Sequence, residues 1–71
     1  MLANFLKSID GKYKIEFRND VERKLLIVRV TRGFLYKEVY IFFEFLSDEQ
    51  HIIRAIRDTI DLLDDAFNNH E

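Results

Sequence analysis

The sequence predicts an α+β fold in the order α-β-β-β-α, with a three-stranded antiparallel sheet between a short N-terminal helix and one long C-terminal amphipathic helix. Three observations predict it. Apolar residues recur at helical spacing at both ends of the chain. Between them the pattern changes to strand-like alternation and β-branched runs. The connections between those strands are too short for a crossover helix, so successive strands join as hairpins.

At the N-terminus, Leu2, Phe5, Leu6 and Ile9 mark one helical face, and Asp10-Gly11 is a good helix stop. From Lys12 the period becomes two. Tyr13, Ile15 and Phe17 alternate with Lys14, Glu16 and Arg18, as in a half-buried strand. Asn19-Asp20 reads as the following turn. Residues 24–31 form the second strand. It is apolar on both faces, Leu26, Val28 and Val30 on one and Leu25 and Ile27 on the other, which suits the centre of a sheet. Gly33 marks a turn within residues 32–35, and residues 36–45 form the third strand, with Val28 opposite Val39 or Ile41. Ser47 opens the last helix through a capping box with Gln50, helped by Asp48 and Glu49 at its positive end. Ile53, Ile56, Ile60, Leu63 and Phe67 then form an apolar stripe, broadened by Ile52, Ala55, Leu62 and Ala66.

A chain of 71 residues is one domain, and a core this small is thin. With no cysteine and only His51 and His70, neither disulfides nor a histidine metal site reinforces it, and no cofactor is expected. Dense packing of seven Phe and three Tyr, or association with another chain, must serve instead. The absence of cysteine fits a reducing compartment. Residues 1–6 are too short an apolar run for a secretory core, and Glu44 interrupts the longest one, residues 41–46. A cytoplasmic protein that does not enter the membrane is the expectation.

Catalytic chemistry finds little to work with, and the chain is not expected to be an enzyme. The two histidines lack a local metal-ligand spacing, and there is no thiol nucleophile. Ser8, Ser47 and Thr59 sit in no nucleophile-elbow context, and Gly11 and Gly33 are too far apart for a phosphate loop.

Charge is uneven. Nine basic and six acidic residues lie in positions 1–46, but two basic and seven acidic ones in 47–71. Asp58, Asp61 and Asp65 share one helical face, with Asp64 beside them. They form either an acidic ridge for a basic partner or the solvated back of the helix, balanced by Arg54 and Arg57. Arg18, Arg23, Lys24, Arg29, Arg32 and Lys37 cluster on the hairpins near Tyr36 and Tyr40, which sketches a nucleic-acid surface. Glu16, Glu22, Glu38 and Glu44 interleave with them, and cross-strand pairs such as Arg29 with Glu38 are the alternative.

Surplus apolar area is the strongest functional signal. If Leu26, Val28, Val30, Val39, Ile41, Phe43 and Phe45 face the helix, then Leu25, Ile27, Tyr40 and Phe42 face away. Phe34, Leu35 and Tyr36 sit at or beside the turn, where solvent exposure is costly for apolar groups. Either the N-terminal helix covers this second face and the turn residues tuck inward, or the face binds a protein partner or a second copy.

The short apolar helix, the Leu25-Leu26-Ile27-Val28-Arg29-Val30 strand, the hairpin and the capped acidic helix together resemble small proteins encoded by phages and prophages of Gram-positive bacteria. Among these are anti-CRISPR proteins that block the DNA-binding site of an effector nuclease with acidic residues. The resemblance implies a steric, protein-binding inhibitor. Such proteins carry part of their acidic surface in loops, whereas this turn carries Arg32. DNA mimicry here would rest on Asp58, Asp61, Asp64 and Asp65.

Overall fold

The computed structural model describes residues 1–69 and has the expected element order. Helix α1 (Leu2–Ile9) ends at Asp10, and Gly11 turns the chain with φ +94°. Strands β1 (Lys14–Asp20), β2 (Leu25–Arg32) and β3 (Leu35–Phe42) pair antiparallel in the order β1-β2-β3. A 3-10 turn at Phe43–Phe45 leads to helix α2 (Glu49–Asn68). His70, weighed above as a possible metal ligand, lies outside the described residues.

Register follows from the hairpins. Val28 pairs with Val39, so the first of the two expected alignments is adopted. Arg32 pairs with Leu35, leaving a two-residue loop of Gly33 and Phe34. Gly33 has φ +60° and Phe34 has a negative φ, the requirement of a type II′ turn with glycine in its first central position. A Cβ on Gly33 would also lie 3.1 Å from the Phe67 ring.

The first hairpin differs from the sequence reading. Asn19 and Asp20 remain in β1, paired with Leu26 and Leu25, and the turn falls at residues 21–24. Asp20 ends the strand and accepts from Arg23 N at 3.2 Å through Oδ1, and Lys24 takes the left-handed conformation at φ 56°. The turn-forming carboxylate thus acts one residue ahead of the turn rather than inside it.

β3 is also shorter than expected, ending at Phe42 instead of residue 45. β2 begins at Leu25, so a longer β3 would have no strand to bond. Phe43 N donates the last cross-strand bond, to Lys24 O at 2.9 Å, and the chain then coils. That coil carries Phe45 onto the core and stacks it on His51, ring centroids 4.3 Å apart.

Asp48, not Ser47, caps α2. Its extended backbone places Oδ1 to accept from His51 N at 3.1 Å, and its carbonyl accepts the first helical bond from Ile52 N. Gln50 consequently falls one position short of the capping-box site and donates to Met1 Sδ instead.

The core is a single layer between sheet and helix. Val28, Val30 and Ile41 meet Ile52, Ile56, Ile60 and Leu63, with Tyr13 at one end. Buried Thr59 donates to Ala55 O at 2.8 Å, which satisfies its hydroxyl. Leu2, Phe5, Leu6 and Ile9 of α1 press on this same core, and α1 packs against α2. Two residues read as core prove exposed. Leu62 (60% accessible) lies past the edge of the stripe, and Phe17 (47%) sits on the helix side of β1 where neither helix reaches fully.

Two substitutions check this account. Asp48→Ala is expected to lower unfolding free energy by about 1 kcal/mol in urea titrations, while Ser47→Ala leaves it nearly unchanged. Ile56→Ala, at a fully buried position, is expected to cost about 2–5 kcal/mol.

Candidate functional site

Both helices lie on one face of the sheet, so the other face is uncovered. The alternative in which α1 folds over it is not adopted, because Leu2, Phe5, Leu6 and Ile9 of α1 pack on the core. Strand alternation and the register set what the uncovered face presents. Four rows cross it from β1 through β2 to β3: Asp20, Leu25 and Phe42; Arg18, Ile27 and Tyr40; Glu16, Arg29 and Glu38; Lys14, Thr31 and Tyr36.

The two halves of this grid differ chemically. Around Arg29 the groups satisfy one another. Its Nε donates to Glu38 Oε2 at 3.1 Å, its Nη2 lies 3.0 Å from the same oxygen, and its guanidinium stands 4.3 Å over the Tyr36 ring. The opposite half is apolar. Tyr40 and Phe42 are each 56% exposed, beside half-buried Leu25. Ile27 is only 8% exposed, because Arg18 and Tyr40 flank it on the two neighbouring strands.

The other sequence-selected residues go elsewhere. Leu35 is on the helix side and packs against the core, so it leaves the proposed contact surface. Phe34, at the tip of the turn, leans toward the helix side, its ring centroid 5.9 Å from that of Phe67. Asp58, Asp61 and Asp65 are exposed on the outer side of α2, across the molecule from the uncovered face.

Asp64 does not extend that acidic ridge. Its carboxylate accepts from the Tyr13 hydroxyl at 2.7 and 2.8 Å and from Arg32 Nη1 at 2.9 Å. Arg32 also stands 4.1 Å over the Phe67 ring. The cluster joins the start of β1, the end of β2 and the last turns of α2. Burial foremost, then the hydrogen bond and the negative charge of Asp64, raise the Tyr13 phenol above its ordinary value of 10.0, against the lowering influence of Arg32. A phenol held neutral this way donates a hydrogen bond and is a poor nucleophile. The cluster is a clamp.

Three features are not evident from spacing alone. The alternation places Tyr13 on a strand but gives its hydroxyl no partner, and it places Phe17 on the buried side. The spacing reads Lys14, Glu16 and Arg18 as the polar side of a strand and Asp20 as part of a turn, although the alternation of sign through all four is visible in the sequence. Among the described residues no three His, Cys, Asp or Glu side chains are grouped as metal ligands, and no helix is long and apolar enough to cross a membrane. No family model, curated protein or solved structure matches the chain.

The clamp gives a pH prediction. Because the folded state raises the Tyr13 value, its stabilising contribution is fully present below pH 10.0 and is lost as pH rises through the raised value. Tyr13→Phe is expected to cost about 1–2 kcal/mol at pH 7. Urea titrations above pH 10.0 should show the difference between wild type and variant shrinking.

Proposed function

We propose that this chain is a non-catalytic protein-binding module, and that its contact surface is the apolar half of the uncovered sheet face. One observation carries the reading: Tyr40 and Phe42 stand exposed side by side, next to Leu25 and Ile27, on a face that neither helix covers. Interface centres favour aromatic residues and few charges, and a rim of paired polar groups such as Arg29 and Glu38 is what surrounds them. Binding by occlusion is also the mode of action that the resemblance of β2 to phage-encoded inhibitors suggests. A cytoplasmic site of action fits a chain without cysteine.

The acidic ridge offers less. Asp58, Asp61 and Asp65 stand on the opposite side of the molecule, so a small partner seated on Tyr40 and Phe42 does not reach them. A nucleic-acid reading is weakened by the pairing of the hairpin arginines. Arg29 is held by Glu38, Arg32 by Asp64, and Arg23 lies 3.7 Å from Asp20.

Quantitative affinity capture from a cell lysate tests the reading with three baits: wild type, Tyr40→Glu/Phe42→Glu, and Asp58→Asn/Asp61→Asn/Asp65→Asn. All substituted positions are exposed, and circular dichroism checks the fold. The expected result is a partner whose capture falls by about tenfold or more with the sheet variant and holds with the helix variant. The reverse pattern would move the site to α2. Salt-sensitive retention of DNA or RNA by wild type would favour nucleic-acid binding instead.

A further inference from the structure

β1 is an edge strand, and its backbone has a direction of unmet bonding. The bond from Phe43 N to Lys24 O fixes the phase of the β2–β3 ladder. Hydrogen-bonded pairs alternate in an antiparallel ladder, so the even-numbered residues of β2 bond to β3 and its odd-numbered residues bond to β1. Their partners on β1 are Lys14, Glu16, Arg18 and Asp20. The N–H and C=O groups of Ile15, Phe17 and Asn19 therefore point away from the sheet. No backbone or side-chain bond from elsewhere among the described residues meets them.

We propose that two copies of this chain associate through β1, antiparallel, with Phe17 of each copy meeting on a two-fold axis perpendicular to the sheet. Phe17 then pairs with Phe17 of the second copy, and Ile15 with its Asn19, through the outward backbone groups. The intervening pairs place Glu16 against Arg18 of the second copy, and Lys14 against its Asp20. These are non-hydrogen-bonded positions, where facing side chains come closest. The sequence of signs along the strand is plus, minus, plus, minus, which is complementary to its own reverse. Lys14, Glu16 and Arg18 have no ion pair within their own chain among the described residues.

The charges select this register. Shifting the pairing by two positions centres it on residue 16 or residue 18 and stacks glutamate on glutamate or arginine on arginine. Shifts by one set these outward groups against even-numbered residues whose N–H and C=O already bond to β2, so no ladder forms. β3 has no equivalent. Its two charged residues, Lys37 and Glu38, lie on opposite faces, so no in-phase pairing of β3 with itself joins opposite charges. β1 carries no proline and its pairing with β2 has no bulge to turn the edge away, and its charges are of both signs, so they can pair with a second copy as well as repel one. On the helix side, half-exposed Phe17 borders a groove that it lines with Leu6, Tyr13 and Ile15, and association through β1 would bring a second Phe17 ring against it.

The association uses the backbone and charges of β1 and not the Tyr40–Phe42 corner, so each proposal stands without the other. Sedimentation equilibrium of the full chain, protomer mass 8.6 kDa, tests the association. Wild type is expected to form a closed dimer. Arg18→Glu alone and Glu16→Arg alone each face like charges and are expected to weaken it by about tenfold or more, while an equimolar mixture of the two variants re-forms a heterodimer. Amide hydrogen exchange on wild type gives a readout independent of any variant. Protection of Ile15, Phe17 and Asn19 is expected to rise with protein concentration. A monomer at every accessible concentration, or protection gained instead at Tyr36, Glu38, Tyr40 and Phe42, would overturn the proposal.

Discussion

A three-stranded sheet has two faces and two edges, and this chain has enough helix for one face. Val28, Val30 and Ile41 can be buried only against Ile52, Ile56, Ile60 and Leu63, and α1 lies against the same layer. A domain of this size buries only about 60% of the surface that its unfolded chain exposes. Concentrating all of that burial on one side gives a continuous core at the expense of the other. The exposed Tyr40, Phe42 and Phe17 are consequences of that allocation.

The clamp follows from the same constraint. α2 runs twenty residues over a sheet whose strands are seven and eight residues long, so its last turns extend past the apolar layer. There the packing changes from apolar to polar. Asp64 sits near a helix C-terminus, where its charge opposes the helix dipole by a few tenths of a kcal/mol. Two donors from two different strands more than offset this, since hydrogen bonds to a carboxylate contribute about 1.5–3 kcal/mol each when partly buried. The Arg32 guanidinium then covers Phe67. An acid that looks misplaced on a helical wheel is where sheet and helix are tied together.

The strand faces and the helix stripe were legible in the sequence because both are periodic, while the β2–β3 register was narrowed only to Val39 or Ile41 opposite Val28. Val28 faces Val39, Gly33 takes the turn, and Ile53 through Leu63 face the core as their spacing implies. What was not legible depended on neighbours distant in the chain. Asn19-Asp20 has turn composition, but β2 offered both residues partners. The end of β3 was set by where β2 begins, and Phe45 reached the core by a coil. Ser47 and Asp48 are both competent caps, and the choice between them was one of backbone geometry. Of the residues selected from the sequence, Leu25, Ile27, Tyr36, Tyr40 and Phe42 fell on the uncovered face, whereas Leu35 packs on the core and Asp64 is held in the clamp.

Joining two copies through β1 would change the meaning of the uncovered face. The two-fold axis reverses the order of rows, so the Tyr40–Phe42 corner of one copy and that of the other point to opposite ends of a six-stranded sheet. Strand spacing and rise separate them by roughly 25–30 Å. Between them lies the charged ladder of β1, which is unsuited to an apolar partner. Such a particle would hold two apolar corners facing the same way at a fixed distance, with both acidic helices behind. A partner that repeats its own epitope at that spacing would be held through effective concentration, without either corner binding tightly alone. Modest single contacts are what a thin domain with one small apolar corner can supply. If both proposals hold, the edge strand and the exposed face are two parts of one mode of binding.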